Sequence, residues 1–201
     1  MVKQHTPKAV ILASASPRRR ELIEQLGLTP TVMSADIDET PVVGENTCDY
    51  VRRLSLGKAR KVADLTATND IVLGADTVID CRGKIMGKPD SLQQSVDMLS
   101  QLSAHTHQVF TGVTLIAGDR CESFTVETRV TMRAITEQEV QAYWISGEPN
   151  GKAGSYAIQG RGARFIESIS GSYSNVVGLP LFETAAMLTD FGIDFDQVQV
   201  S

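Results

Sequence analysis

Apolar positions along the chain fall into two spacings. Short unbroken runs, Ala9–Ala13 and Ile71–Leu73, predict buried strands. The first leads into a helix through Leu26, with Ser16 suited to the N-cap and Pro17 to the first helical position. A short strand is expected near Thr31–Met33. Thr47 is placed to cap a helix over about Asp49–Asp64, where Val51, Leu54, Lys58 and Val62 share a face. The second run continues through Gly74–Thr77 and Val78–Asp80. Arg82–Gly83 then reads as a hairpin turn and Lys84–Met86 as the return strand. Ser91–Ser103 has helical spacing, with Val96, Leu99 and Leu102 aligned.

The second half opens on two long strands, Thr106–Ala117 and Cys121–Arg133, around the turn Gly118–Arg120. Val109, Thr111, Val113 and Leu115 alternate with the other face. Thr136 and Glu139 form a capping-box pattern for a helix to about Ile145. A glycine-rich stretch from Gly147 to Gly162 follows, then a strand at Arg164–Ile169. Ser170–Asn175 reads as a polar loop, and Gly178–Pro180 leads into a last helix ending near Phe191. Strands alternate with helices, but the central hairpin is antiparallel. The expected fold is therefore α/β with a mixed sheet. No internal repeat or linker interrupts the chain, so residues 1–201 read as one domain.

Charge and composition narrow the function. With 42% hydrophobic and 21% charged residues the chain is ordinary for a globular protein. A formal net charge of −5 argues against nucleic acid or an anionic membrane as partner. Cys48, Cys81 and Cys121 have no CxxC spacing, so neither a disulfide framework nor a zinc site is expected, and a reducing cytoplasm fits best. Met1–Pro7 is polar and carries no signal-like apolar run, and no stretch is long enough to span a bilayer.

Against this acidic background, Ser14 to Arg20 is a local exception. Small residues and three arginines sit where a strand passes into a helix N-terminus, a place suited to phosphate oxygens. Neither a GxGxxG that opens a helix nor a GxxxxGK[ST] is present, so dinucleotide and P-loop readings fail. Asp76 stands inside an apolar run, where a carboxylate is costly unless paired or metal-bound. Asp38–Glu39, Lys58 and Lys88 complete the charged set. Each has an ordinary explanation alone: a solvated loop for Asp38–Glu39, a snorkelling stem for Lys58. Together they match enzymes acting on phosphate esters, in which carboxylates hold a divalent cation and orient water while cations neutralise phosphates.

These segments, in this order, resemble the Maf family of nucleotide pyrophosphatases along nearly the whole chain. The matching motifs are Ala13 to Arg19, Asp38–Glu39, Lys58–Ala59, Leu73 to Thr77 and Gly87–Lys88–Pro89. Later come Lys152 to Tyr156, Gln159–Gly160 and Val177 to Pro180. The resemblance implies an elongated mixed α/β sheet with two lobes and a central cleft, related to the inosine triphosphate pyrophosphatase fold. It implies hydrolysis of nucleoside triphosphates to monophosphate and pyrophosphate with Mg²⁺ or Mn²⁺, and homodimers are frequent. On this sequence Asp76 would activate water, and Glu39 with Asp76 would hold the metal. Lys58 and Lys88 would contact phosphates or order the site, and Ser14, Ser16, Arg18 and Arg19 would bind the triphosphate. A carboxylate can orient water or ligate metal, and both roles stay open for Asp76.

Ile158–Gln159–Gly160 resembles the dTTP/UTP branch, where the 7-methyl-GTP branch has Ser-Glu-Gly. Arg18 or Arg19, Thr77 and Gln159 would then set base choice. A glutamine amide can meet N3–H and O4 of uracil or thymine at once, although a flipped amide would also fit cytosine. Arg161 and Arg164 follow closely, either as further phosphate contacts or as surface. A nucleotide-sensing regulator of septum formation is the alternative from a different class. A pure sensor has no need of Asp76.

Overall fold

The computed structural model describes residues 9–66 and 70–197, so the N-terminal segment Met1–Pro7 lies outside the described residues. The apolar runs become one mixed sheet. Its strands are β1 (Val10–Leu12), β2 (Thr31–Val32), β3 (Ile71–Cys81), β4 (Lys84–Met86), β5 (Thr106–Ala117), β6 (Arg120–Met132) and β7 (Ile166–Ser170). They lie in the order β2-β1-β3-β5-β6-β7, with β4 paired to β3. β1 runs parallel to both of its neighbours; β3, β5, β6 and β7 are joined antiparallel. Every residue of β3 except Thr77 is buried, as expected of a strand covered on both faces.

The pairing of β3 shapes the molecule. On one edge, β1 pairs with Ile71, Val72 and Leu73, and β4 pairs with Ile79, Asp80 and Cys81. Residues 74–78 between them have no strand on that edge among the described residues. Side chains from both faces can therefore meet in one opening.

Among the described residues, six α-helices pack on the sheet: α1 (Pro17–Gln25), α2 (Thr47–Thr66), α3 (Leu92–Leu102), α4 (Glu137–Ile145), α5 (Tyr173–Val177) and α6 (Leu181–Asp190). On one face, Leu12, Leu73 and Leu115 pack with Ile23 of α1 and Leu188 of α6. Farther along the same face, Ile79, Val109 and Met132 pack with Leu99, Leu102, Tyr143 and Phe165. These two clusters are the lobes, and the opening in β3 lies between them. The opposite face belongs to α2. Its Ala59 and Val62 meet Ile11 and Val72, and its Tyr50, Val51 and Leu54 meet Val78 and Phe110.

Four local readings change. Helix α2 begins at Thr47, and the side chain of Asn46 accepts from Asp49 N at 2.9 Å; the Thr47 hydroxyl instead donates to buried Asp80. Ser16 has extended backbone at the α1 N-cap, but its hydroxyl makes no capping bond. The segment read as a polar loop enters α5, because Ser172 caps it by accepting from Asn175 N. The strand expected at Arg164 starts at Ile166, because residues 161–165 close into a 3-10 turn. Among the described residues, no helix is long and apolar enough to cross a membrane.

One core group ties stability to pH. His107 on β5 is fully buried, its Nε2 is 2.8 Å from the Tyr156 hydroxyl, and burial pushes its pKa from 6.5 down to about 4. Between those values the unfolded chain takes a proton that the folded chain refuses. Stability from this residue is therefore complete above pH 6.5 and declines as pH falls toward 4. The expected loss between pH 7 and 5 is roughly 2 kcal/mol, and His107→Gln should lack it. Urea midpoints of both proteins at the two pH values check this. Equal losses would remove His107 as the source.

Candidate active site

The chain leaves β1 at Leu12, anchors Ala13 N on Leu73 O at 2.8 Å, and turns through Ser14–Ser16 into α1. Ser14 Oγ accepts from Ser16 N at 3.2 Å and from Arg19 Nη1 at 3.1 Å. Arg19 is buried. Its Nε donates to Gly178 O at 2.9 Å and its Nη2 to Thr77 Oγ1 at 3.0 Å. Thr77 Oγ1 in turn lies 2.9 Å from Thr111 Oγ1. Arg19 and Thr77 thus form one braced unit joining α1, β3 and the end of α5. Burial lowers the Arg19 pKa, and the charge of Asp76 opposes that shift.

The three arginines divide by helical geometry, since successive positions on a helix point about 100° apart. Arg20 turns outward to Glu24 at 2.7 Å. Arg18 is half-buried on the cleft wall, and its side chain makes no hydrogen bond or ion pair among the described residues. Burial pulls its pKa down, against the pull of Glu21. Arg18 is the arginine free to meet an anion, whereas Arg19 builds the floor.

Asp76 projects to the α2 face, where Lys58 meets it. Lys58 Nζ is 2.6 Å from Asp76 Oδ1 and 2.7 Å from Glu39 Oε1. Lys58 is 9% exposed, so the snorkelling reading is overturned: its ammonium points inward, where two carboxylates offset its desolvation. Among the described residues no hydrogen bond reaches Asp76 Oδ2. The Glu39 loop is held by Tyr50 OH donating to Glu39 O at 2.8 Å and by Arg53 Nη2 donating to Thr40 O at 3.1 Å. Burial would raise the Glu39 pKa. The Lys58 hydrogen bond and the charges of Lys58, Lys88 and Arg19 outweigh it and hold the carboxyl below its usual range. Asp38 separates from its neighbour: its Oδ1 accepts from Thr40 N at 2.9 Å and closes an exposed turn.

Every residue to which the sequence assigned a site role lines one cleft of about 750 Å³, whereas Asp38 and Arg20 do not. Ser14, Ser16, Arg18, Arg19, Glu39, Lys58, Asp76, Thr77, Lys88 and Gln159 border it together. Lys152 joins them, a residue the sequence placed in a motif without assigning it a role. Burial lowers its pKa first, and the nearby charges of Arg18 and Lys88 lower it further, against the pull of Glu148. Arg18, Lys88 and Lys152 thus form a cationic wall in the same cleft that Glu39 and Asp76 border. Arg161 and Arg164 do not border the cleft; Arg164 lies over the Phe165 ring at 4.8 Å.

The family model described as "Maf-like protein" matches residues 9–191. The chain belongs to the Maf-like family. It is 49% identical over 183 residues to a dTTP/UTP pyrophosphatase of Pseudoalteromonas atlantica, covering 90% of this chain and 95% of that relative. A dTTP/UTP pyrophosphatase of Hahella chejuensis is 46% identical over 188 residues, covering 92% and 94%. Among solved structures, the Staphylococcus aureus Ham1 protein aligns with a TM-score of 0.42 at 13% identity, over 62% of this chain and 72% of that one.

The Maf-like cleft also has donors that suit a divalent cation. Among the described residues no group of three His, Cys, Asp or Glu side chains converges, so no all-protein cage exists. Mg²⁺ rarely uses one; it takes one or two carboxylates, with waters and substrate phosphates completing the shell. Glu39 and Asp76, gathered on one lysine at the cleft, fit that donor set.

Proposed function

We propose that this Maf-like chain is a nucleoside triphosphate pyrophosphatase that hydrolyses dTTP and UTP to the monophosphate and pyrophosphate. The observation that carries the reading is Asp76, buried against Lys58 in the cleft that Arg18, Lys88 and Lys152 also line. Water adds to the α-phosphorus in line with the departing pyrophosphate. The new bond is O–Pα, and the bond from Pα to its bridging oxygen breaks. Asp76 Oδ2 orients the water and accepts its proton. Charge grows on the leaving group, beside the cationic wall. A divalent cation held by Glu39, Asp76 and the substrate phosphates would supply further charge neutralisation.

The relatives' names support the pyrimidine substrates, and so does Gln159, which is exposed at the cleft. Pyrophosphate release across a panel of nucleoside triphosphates, with Mg²⁺ or Mn²⁺, tests the reading. dTTP and UTP are expected to lead. Tight binding without turnover would sink the enzyme, and preference for 7-methyl-GTP would sink the branch.

Gln159→Glu tests the base reader. A carboxylate has no donor for uracil O4 and repels it. The expected fall in kcat/KM is about 10- to 100-fold for UTP and dTTP and smaller for CTP, whose amino group donates. Inhibition by tripolyphosphate should hold steady. An equal loss for every base would place Gln159 outside base recognition.

A further inference from the structure

Glu148, on the turn after α4, does not line the cleft. Yet its carboxylate takes three hydrogen bonds. Tyr143 OH donates to Oε1 at 2.6 Å, Gly162 N to Oε1 at 2.9 Å and Arg161 N to Oε2 at 2.8 Å. The Tyr143 hydroxyl also accepts from Ala157 N at 3.1 Å. The segment carrying Gln159 is therefore fastened on both sides to one Tyr143–Glu148 pair, before it at Ala157 and after it at Arg161 and Gly162.

The fit is close. A Cβ on Gly160 would lie 2.4 Å from Glu148 Oε2, and one on Gly162 would lie 2.7 Å from Tyr143 OH. Glycine at both positions lets the backbone close around the clamp. Burial would raise the Glu148 pKa, but the Tyr143 hydroxyl and the two backbone N–H groups outweigh it, so the acid stays ionised. Burial first, and then the hydrogen bond to Glu148, raise the Tyr143 pKa, which keeps the phenol a donor. Charge-assisted bonds of this kind are short and directional. The ring of Tyr143 is itself fixed in the core, edge-on to Phe165 at 5.2 Å.

We infer that Glu148 is a positioning residue for base selection: with Tyr143 it fixes the backbone from which Gln159 reads the pyrimidine edge. This rests on Gln159 as base reader. A glutamine amide tells uracil from cytosine only if its orientation and place are held, because the flipped amide suits the other base. The clamp holds the place.

The test compares Glu148→Gln and Tyr143→Phe with the parent, using kcat/KM for UTP and CTP and the inhibition constant of tripolyphosphate. Each variant weakens one part of the clamp. The UTP-over-CTP ratio is expected to fall about ten-fold in Glu148→Gln and less in Tyr143→Phe, through KM more than kcat, with tripolyphosphate inhibition within two-fold of parent. In a cycle with Gln159→Ala, Glu148→Gln should have no further effect on the ratio. A lower melting temperature with an unchanged ratio would overturn the inference and leave Glu148 structural. If Glu148→Gln does not fold, an unchanged ratio in Tyr143→Phe overturns it alone. If Gln159→Ala itself leaves the ratio intact, the fault lies in the base reader and the inference falls with it. A changed ratio in Gln159→Ala beside an unchanged one in Glu148→Gln isolates the failure to the clamp.

Discussion

Asp76→Asn is expected to lower kcat by roughly 10³-fold or more while the protein stays folded and still binds nucleotide. The amide keeps an oxygen for Lys58, and Lys58 keeps Glu39 at 2.7 Å, so the buried ammonium retains an anionic partner. The cost in stability should stay near 1–2 kcal/mol, the scale of one charged hydrogen bond reduced to a neutral one. On the proposed mechanism, what disappears is the oxygen that would accept the water's proton and one of the two carboxylates that border the cleft. Pyrophosphate release under single-turnover conditions, beside a thermal melt and a nucleotide-binding titration, reads all three quantities. Full turnover in the variant would make Asp76 a structural partner of Lys58 and nothing more. A collapsed melt would show that the pair supports the fold, and Glu39→Gln, on an exposed side chain, would then separate chemistry from stability.

Most of the scaffold was legible because its signals are local. The continuous apolar run of β3, the alternation in β5 and the capping box at Thr136 each carry their own period or cap. Helix α5 escaped because five residues offer too short a window for any period, and its cap is a lone serine in a polar stretch. The site was legible as a set of residue types but not as an arrangement. Taken alone, Lys58 read as a surface stem, and only its motif put it in the site, because its partner Asp76 lies 18 residues away. The division of labour between Arg18 and Arg19 depends on which side of α1 faces Gly178, and neighbouring arginines carry no mark of that. The opening in β3 depends on where β1 ends and β4 begins, a property of three strands together. Glu148 was passed over because its role lies in backbone groups, which every residue has. The one trace was the pair of glycines at 160 and 162.

Gly74→Ala should damage both fold and rate, because helix α2 rests on the sheet at glycine. A Cβ at Gly74 would stand 2.3 Å from Ser55 O and 2.7 Å from Ala59 N, and one at Gly112 would stand 2.4 Å from Val51 O. These are backbone atoms, so no rotamer change gives relief; the helix must move outward. Gly112 sits directly across from Asp76 in the β3–β5 register, and Lys58 adjoins Ala59. The close approach that needs glycine is thus what brings the ammonium onto the carboxylate. Overpacking of this kind costs about 1–3 kcal/mol, which for a chain of this size lowers the melting temperature by roughly 3–10 °C. An outward shift near 1 Å should lower kcat about 10- to 100-fold by parting Lys58 from Asp76. Gly87→Ala is the stability control: nothing lies within 4 Å of its Cβ, and its melting should match the parent within about 1 °C. If Gly74→Ala melts with the parent and turns over at the parental rate, the helix–sheet contact does not set the geometry of the site. If it melts lower yet keeps its rate, the contact supports the fold while Lys58 reaches Asp76 by its own flexible stem.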